Sequence, residues 1–182
     1  MPRRQALLDM LEMFRPFDDA EAVHRRRMLE LAVLESDPFS RHHFTPGHFT
    51  ASSFVLAPDG LSILLIFHGK LHRWLQPGGH VDPEDTDLIA AARREVEEET
   101  GLRDLSLANP GVFDIDIHPI PAFRGRGEPP HEHFDVRLLF RARGMECMAA
   151  SDATAVRWFP LDEITPDVSD ASVMRAIRKL RA

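Results

Sequence analysis

Residues 85–101, DTDLIAAARREVEEETG, limit the possible folds more than any other stretch of the chain. Leu88, Ala91, Ala92 and Val96 recur at helical spacing and form one apolar stripe, and Gly101 stands where helices commonly end. A helix over about residues 85–100 with one apolar face has to cover something. The flanking runs supply it. FTASSFVLA and LSILLIFH are rich in β-formers and are separated by Pro58, Asp59 and Gly60, the pattern of a hairpin. Beyond the helix, residues 112–118 and 131–140 alternate apolar and polar side chains, with the Pro- and Gly-rich loop PIPAFRGRGEPP between them. AVRWF reads as a further strand, and residues 170–180 as a closing helix with basic residues in its last turns. The expected class is α/β.

The polar side of the same helix carries the chemistry. Glu95, Glu98 and Glu99 stand at i, i+3 and i+4, which puts three carboxylates on one face. Like charges that close repel unless water or a cation neutralises them, and hard oxygen ligands of this kind suit Mg²⁺ or Mn²⁺. Three Glu on a helix, taken alone, equally describe a solvated surface. The preceding residues change the balance: a strand-like LHRWLQ runs into a Pro77-Gly78-Gly79 loop, whose glycines let the backbone approach a ligand closely.

GHVDPEDTDLIAAARREVEEETGL resembles the Nudix box, whose family pattern is G, five residues, E, seven residues, then R-E-U-x-E-E-x-G-U with U aliphatic. Arg94, Glu95, Val96, Glu98, Glu99, Gly101 and Leu102 match its second half position by position. The first half departs from it. Counted from Gly79, the family's first Glu falls on Asp85, and one extra residue lies between Asp85 and Arg94. Asp85 or Glu84 is then the expected partner of Arg94.

The resemblance implies a Nudix α/β/α sandwich with a mixed β-sheet over residues 47–182 (box 79–102), preceded by an N-terminal helical extension over residues 1–46. It implies a metal-dependent hydrolase that cleaves a phosphoanhydride bond in a nucleoside diphosphate linked to another moiety, of the ADP-ribose or nucleotide-sugar type. The alternatives are a (d)NTP pyrophosphohydrolase and a non-catalytic nucleotide-sensing module. Glu95, Glu98 and Glu99 would be the metal ligands for Mg²⁺ or Mn²⁺, Arg94 would orient them, and Gly78, Gly79 and His80 would meet the substrate. Pro119 lies downstream of the box near where ADP-ribose-cleaving members tend to carry a proline.

A base for the attacking water is not settled by the box. In HEHFDVRLLF, Phe134, Val136, Leu138 and Phe140 share one strand face, so His131, His133, Asp135 and Arg137 share the other. That polar face is either exposed sheet or a wall of the site. In the second case Asp135 is the first candidate for an additional metal ligand or the base, Glu132 the second, and Arg137 a phosphate ligand. His42, His43, His48, His68, His72 and His80 crowd the residues before the helix, each more simply a surface or packing residue, and Trp74 is either core or a platform for a base.

Residues 5–15 and 19–35 place Leu7, Leu11 and Phe14, then Val23, Met28, Leu31 and Ala32, at helical spacing around Pro16. This helical hairpin has three roles open to it: lid, dimer contact (a homodimer) or core cover. A formal net charge of −7 over 182 residues argues against a nucleic-acid partner and for a metal between the protein and any phosphate of a small nucleotide substrate. The single cysteine, Cys147, points to a reducing compartment, and Asp9, Glu12 and Arg15 interrupt the N-terminal apolar positions too often for a membrane span or signal peptide. The expected location is cytoplasmic.

Overall fold

The computed structural model describes every residue except Met1, Lys70 and Asp152. At its centre, β1 (Gly47–Leu56) and β7 (His131–Ala142) run parallel, in unbroken register from Gly47 opposite Glu132 to Leu56 opposite Arg141. All of β1 is buried, as a central strand should be. Along β1, two antiparallel partners follow one another: β4 (Gly78–His80) opposite residues 50–52, then β2 (Ser62–His68) opposite Val55 and Leu56. β2 in turn pairs with β3 (Arg73–Leu75) and β8 (Ala153–Pro160). β7 pairs with β5 (Leu105–Leu107) and β6 (Asp114–Ile120). The result is one mixed eight-stranded sheet.

Alternation along β1 splits the core in two. Phe49, Ala51, Phe134 and Val136 join Leu7 and Leu11 of α1 (Pro2–Met13), Met28 and Leu31 of α2 (Asp19–Ala32), and Ala91, Ala92 and Val96 of α3 (Leu88–Thr100). Phe54, Leu56 and Leu139 join Val173, Ala176 and Ile177 of α4 (Ala171–Arg181) in a second cluster. The sheet is sandwiched between helices, the α/β/α architecture expected. Leu88 and Val96 are 2% and 0% exposed, and each contributes about 1.5–3 kcal/mol by leaving water.

The helix ends follow from local chemistry. Asp87 caps α3 by accepting a hydrogen bond from Ala90 N at 2.8 Å, which delays its start to Leu88. Gly101 closes it with φ of 72°, a left-handed conformation that favours glycine, and donates its N–H to the Glu97 carbonyl. Asp18 and Asp170 cap α2 and α4 in the same way.

Two expectations change and one open question narrows. The Pro77-Gly78-Gly79 segment is not a free loop, because Gly78 and Gly79 belong to β4. Val23, placed on the inner stripe of α2 by spacing, is 44% exposed, and Glu21 is fully buried in its stead. Of the roles open to the N-terminal hairpin, core cover is the one in view, since Leu7, Leu11, Phe14, Met28, Leu31 and Ala32 all enter the first cluster.

Candidate active site

The site forms where β4 meets α3. Gly78 lies so close to β1 that a Cβ there would fall 2.2 Å from Ser52 Cβ, and a Cβ on Gly79 would fall 2.6 Å from a Glu95 carboxylate oxygen. Glycine is needed at Gly78 because the obstacle is a central strand, whereas at Gly79 it keeps space for the Glu95 carboxylate. The Gly78 N–H donates to Glu99 Oε2 at 3.0 Å, tying a nearly buried carboxylate to the strand.

Arg94 organises the rest. Its guanidinium donates to Asp85 Oδ1 and Oδ2 at 3.2 and 2.9 Å, to the His80 carbonyl at 2.9 Å, to Glu95 Oε1 at 2.9 Å and to Glu98 Oε2 at 3.1 Å. The Asp85 hydrogen bonds hold the Arg94 pKa above its ordinary value. Asp85 is also fixed by the Asp82 N–H at 2.8 Å. The shorter Asp side chain therefore still reaches Arg94, and the extra residue is absorbed before the helix begins. Burial raises the Glu95 pKa, and Arg94 pulls against that rise. Glu98 is half exposed. Two carboxylates drawn together by one guanidinium, a third held on a strand N–H, and a glycine whose Cβ would meet Glu95 line one seam with oxygen donors, the chemistry that suits a hard divalent cation.

Behind this seam, alternation places His48, Thr50 and Ser52 of β1 beside His133, Asp135 and Arg137 of β7, and Asp114, Asp116 and His118 of β6 beyond them. Asp135 accepts from Thr50 Oγ1 at 3.1 Å, Ser52 Oγ at 2.8 Å and Arg137 Nε at 2.8 Å. Arg137 also pairs with Asp114 at 3.2 Å and Asp116 at 3.5 Å, and donates to Ser172 of α4 at 3.0 Å. Burial opposes its charge, yet the three aspartates more than restore it and its pKa is raised. Arg175 and Lys179 of α4 converge on Asp114 at 2.8 and 2.9 Å, and both meet Glu21 of α2. For Asp114, burial raises the pKa, but Arg137, Arg175 and Lys179 hold it down at about 2.

The other end of the strip is made of imidazoles. The rings of His48 and His80 lie 5.1 Å apart, those of His48 and His133 4.8 Å, and those of His80 and His133 5.2 Å. Burial pulls the pKa of His48 and of His80 down to about 4, and that of His133 down to about 2. These rings are neutral at pH 7.

The family model for the NUDIX domain matches residues 46–179. The chain belongs to the NUDIX domain family. It is 28% identical over 155 residues, 78% of this chain and 67% of the relative, to CMP-5'-(N-acetyl-N-hydroxy-3-aminopropyl)phosphonate hydrolase of Streptomyces rubellomurinus. It is 29% identical over 127 residues, 69% of this chain and 76% of the relative, to the asymmetrical bis(5'-nucleosyl)-tetraphosphatase of Rattus norvegicus. Its fold is similar to that of a NUDIX family hydrolase from Clostridium perfringens, with a TM-score of 0.55 and 21% identity over 78% of this chain and 97% of that one. As a Nudix hydrolase it falls in the acid anhydride hydrolase class, a family that uses divalent metal ions and small nucleotide substrates.

Of the residues singled out by sequence, Arg94, Glu95, Glu98, Glu99, Gly78 and Gly79 come together along α3 and β4 in this Nudix chain. His80 shares the backbone of that seam, but its ring joins His48 and His133. Asp135 and Arg137 are 3% and 2% exposed, which overturns the exposed-sheet reading of the β7 polar face. Glu132 is paired with Arg27 of α2 at 2.5 and 3.2 Å. Trp74 is half-buried and packs edge-on against Phe67 and Phe159 at the margin of the second cluster. Sequence reasoning missed Glu21, Asp114, Asp116, Arg175 and Lys179. The alternation of β6 put both aspartates on one face, but nothing local announces partners arriving from α2 and α4.

Proposed function

We propose that this Nudix enzyme hydrolyses a phosphoanhydride bond in a nucleotide joined through its phosphates to a second moiety, of the nucleoside-diphosphate-linked type, with Mg²⁺ or Mn²⁺ as cofactor. The observation that carries the reading is the single Arg94 guanidinium gathering Asp85, Glu95 and Glu98 beside a Glu99 held on the Gly78 N–H. The two relatives named above support the substrate class, because each is named for a substrate in which a nucleotide is linked onward through phosphorus.

In this reading Glu95, Glu98 and Glu99 hold the cation. When bound, it supplies charge neutralisation at phosphate oxygens and activation of water. Arg94 fixes the carboxylate rotamers, and the bare backbone of Gly78 and Gly79 lets the phosphates approach. The water oxygen bonds to phosphorus while the bridging P–O bond breaks. The leaving phosphate keeps the bridging oxygen, and the released proton goes to Glu98, the half-exposed carboxylate of the three. Asp135 was the first candidate for this base and Glu132 the second. Asp135 is buried and already accepts hydrogen bonds from Thr50, Ser52, Gln76 and Arg137, and Glu132 is engaged by both guanidinium nitrogens of Arg27 on α2, so we assign both, with Arg137, to positioning.

The test is phosphate release or nucleotide product formation over ADP-ribose, nucleotide sugars, diadenosine tetraphosphate and the (d)NTPs, each with Mg²⁺ and with Mn²⁺. Linked nucleotides are expected to turn over fastest, and Glu98→Gln to abolish turnover while leaving the unfolding midpoint in place. Turnover confined to (d)NTPs would replace this substrate class with nucleotide clean-up. Nucleotide binding without any cleavage would make the chain a sensing module.

A further inference from the structure

The imidazole cluster has a feature that packing does not explain. His48 is 0% exposed, and its Nε2 is buried with no hydrogen-bond partner. Its Nδ1 lies 3.1 Å from the His43 carbonyl, so Nδ1 carries the proton and Nε2 presents a lone pair. An unpaired buried polar atom costs about 1–3 kcal/mol, and a phenyl ring in its place would carry no such cost. The arrangement is the one metal-binding imidazoles adopt, with the outer nitrogen anchored on a carbonyl and the inner one bare.

We propose that His48, His80 and His133 form a transition-metal site, of the Zn²⁺ class, separate from the carboxylate site. One nitrogen from each ring lies within 4.8 Å of the other two, a closeness that, among the described residues, only this trio of His, Cys, Asp and Glu side chains reaches. The three ligands arrive on three strands already locked in register: His48 opposite His133 across β1 and β7, and His80 opposite Thr50 across β4 and β1. With Zn–N at about 2.0–2.1 Å, tetrahedral coordination sets the nitrogens about 3.3 Å apart, a closure within reach of side-chain rotation. Imidazole suits zinc and its neighbours, whereas carboxylates suit Mg²⁺ and Mn²⁺, so the two donor sets select different ions. Three protein nitrogens leave a fourth position for an exogenous oxygen, such as water or phosphate.

Metal-stripped protein dialysed against Zn²⁺, and separately Co²⁺, with Mg²⁺ in excess to fill the carboxylate site, tests this directly. Wild type is expected to retain one equivalent, and the Co²⁺ form to show the visible bands of four-coordinate cobalt. His80→Ala, on the short edge strand, and His133→Ala should each weaken retention at least tenfold and remove the bands. Glu98→Gln should leave both unchanged, which separates this site from the proposed hydrolytic one. No retention by wild type, equal retention by both His variants, or loss in Glu98→Gln alone would overturn the inference. His48→Gln, if it folds, should behave like the other two His variants, and full retention there would equally overturn it.

Discussion

At the scale of single residues, the two glycines of β4 look alike in sequence but meet different neighbours. A methyl at Gly78 would strike Ser52 Cβ and Cα and the Ala51 carbonyl, all part of a central strand that cannot give way. The three atoms nearest a methyl at Gly79 all belong to the carboxylate end of Glu95, a flexible side chain that can swing aside. Gly78→Ala is therefore expected to lower the unfolding midpoint sharply, and Gly79→Ala to leave it nearly unchanged while raising the Mg²⁺ concentration needed for half-maximal turnover. Thermal melts and metal titrations of the two variants check the contrast, and equal effects on both readouts would reject it. Much at this scale was legible. The spacing of Arg94, Glu95, Glu98 and Glu99 expressed their shared face, and Asp85 was one of two named partners for Arg94. What Gly78 and Gly79 touch depends on Ser52 and Glu95, which sequence spacing does not bring together.

At the scale of elements, α2 and α4 are joined through charge. Glu21, Arg175 and Lys179 meet Asp114 and Asp116 of β6 in a region where Glu21 and Asp114 are both fully buried. Removing one member of a buried ionic network leaves the others unpaired, at about 3–5 kcal/mol. Asp114→Asn is expected to lose that much stability in urea unfolding, whereas breaking the exposed Arg103–Glu97 pair should cost about 0–1 kcal/mol. A loss under about 1 kcal/mol for Asp114→Asn would show that the network is dispensable. This is also where the sequence was hardest to read. Period-3.6 spacing predicted Val23 inward, but the inner position goes to Glu21 because its partners come from the opposite end of the chain. β3, β4 and β5 are three residues each, too short for alternation to register, and exist because β1, β2 and β7 offer them open edges. The long elements, β1, β7 and α3, carry their own pattern and were legible.

At the scale of the whole molecule, the fold buries neutral imidazoles that the unfolded chain would protonate. His48, His80 and His133 sit at about 4, about 4 and about 2 against an ordinary value of 6.5. Since the unfolded state binds more protons below pH 6.5, stability is full above that value and is lost as pH falls from 6.5 toward 4, by up to about 1.4 kcal/mol per pH unit for each ring. The carboxyls of Glu21 and Glu95, raised by burial, act in the opposite sense. A difference measurement isolates the imidazole share: metal-free wild type should lose more stability between pH 7 and 5 than metal-free His133→Asn. Identical pH dependence would remove His133 from the account. The class and the sandwich were legible at this scale from the box and the strand pattern, while His80 and His133 were each placed at the site but not with one another or with His48, because the trio spans β1, β4 and β7.

The parallel pairing of β1 with β7 has a kinetic consequence. It brings together residues 85 positions apart, as Thr50 and Asp135 are, and such closure is slow because chain entropy is lost before the contacts repay it. Helix α3, with its cap and apolar stripe, can form early from local contacts. The imidazole trio and the Asp135 network cannot exist until β1 and β7 have met. A metal that prefers nitrogen would therefore find its ligands late in folding, after the oxygen donors of α3 are already in place.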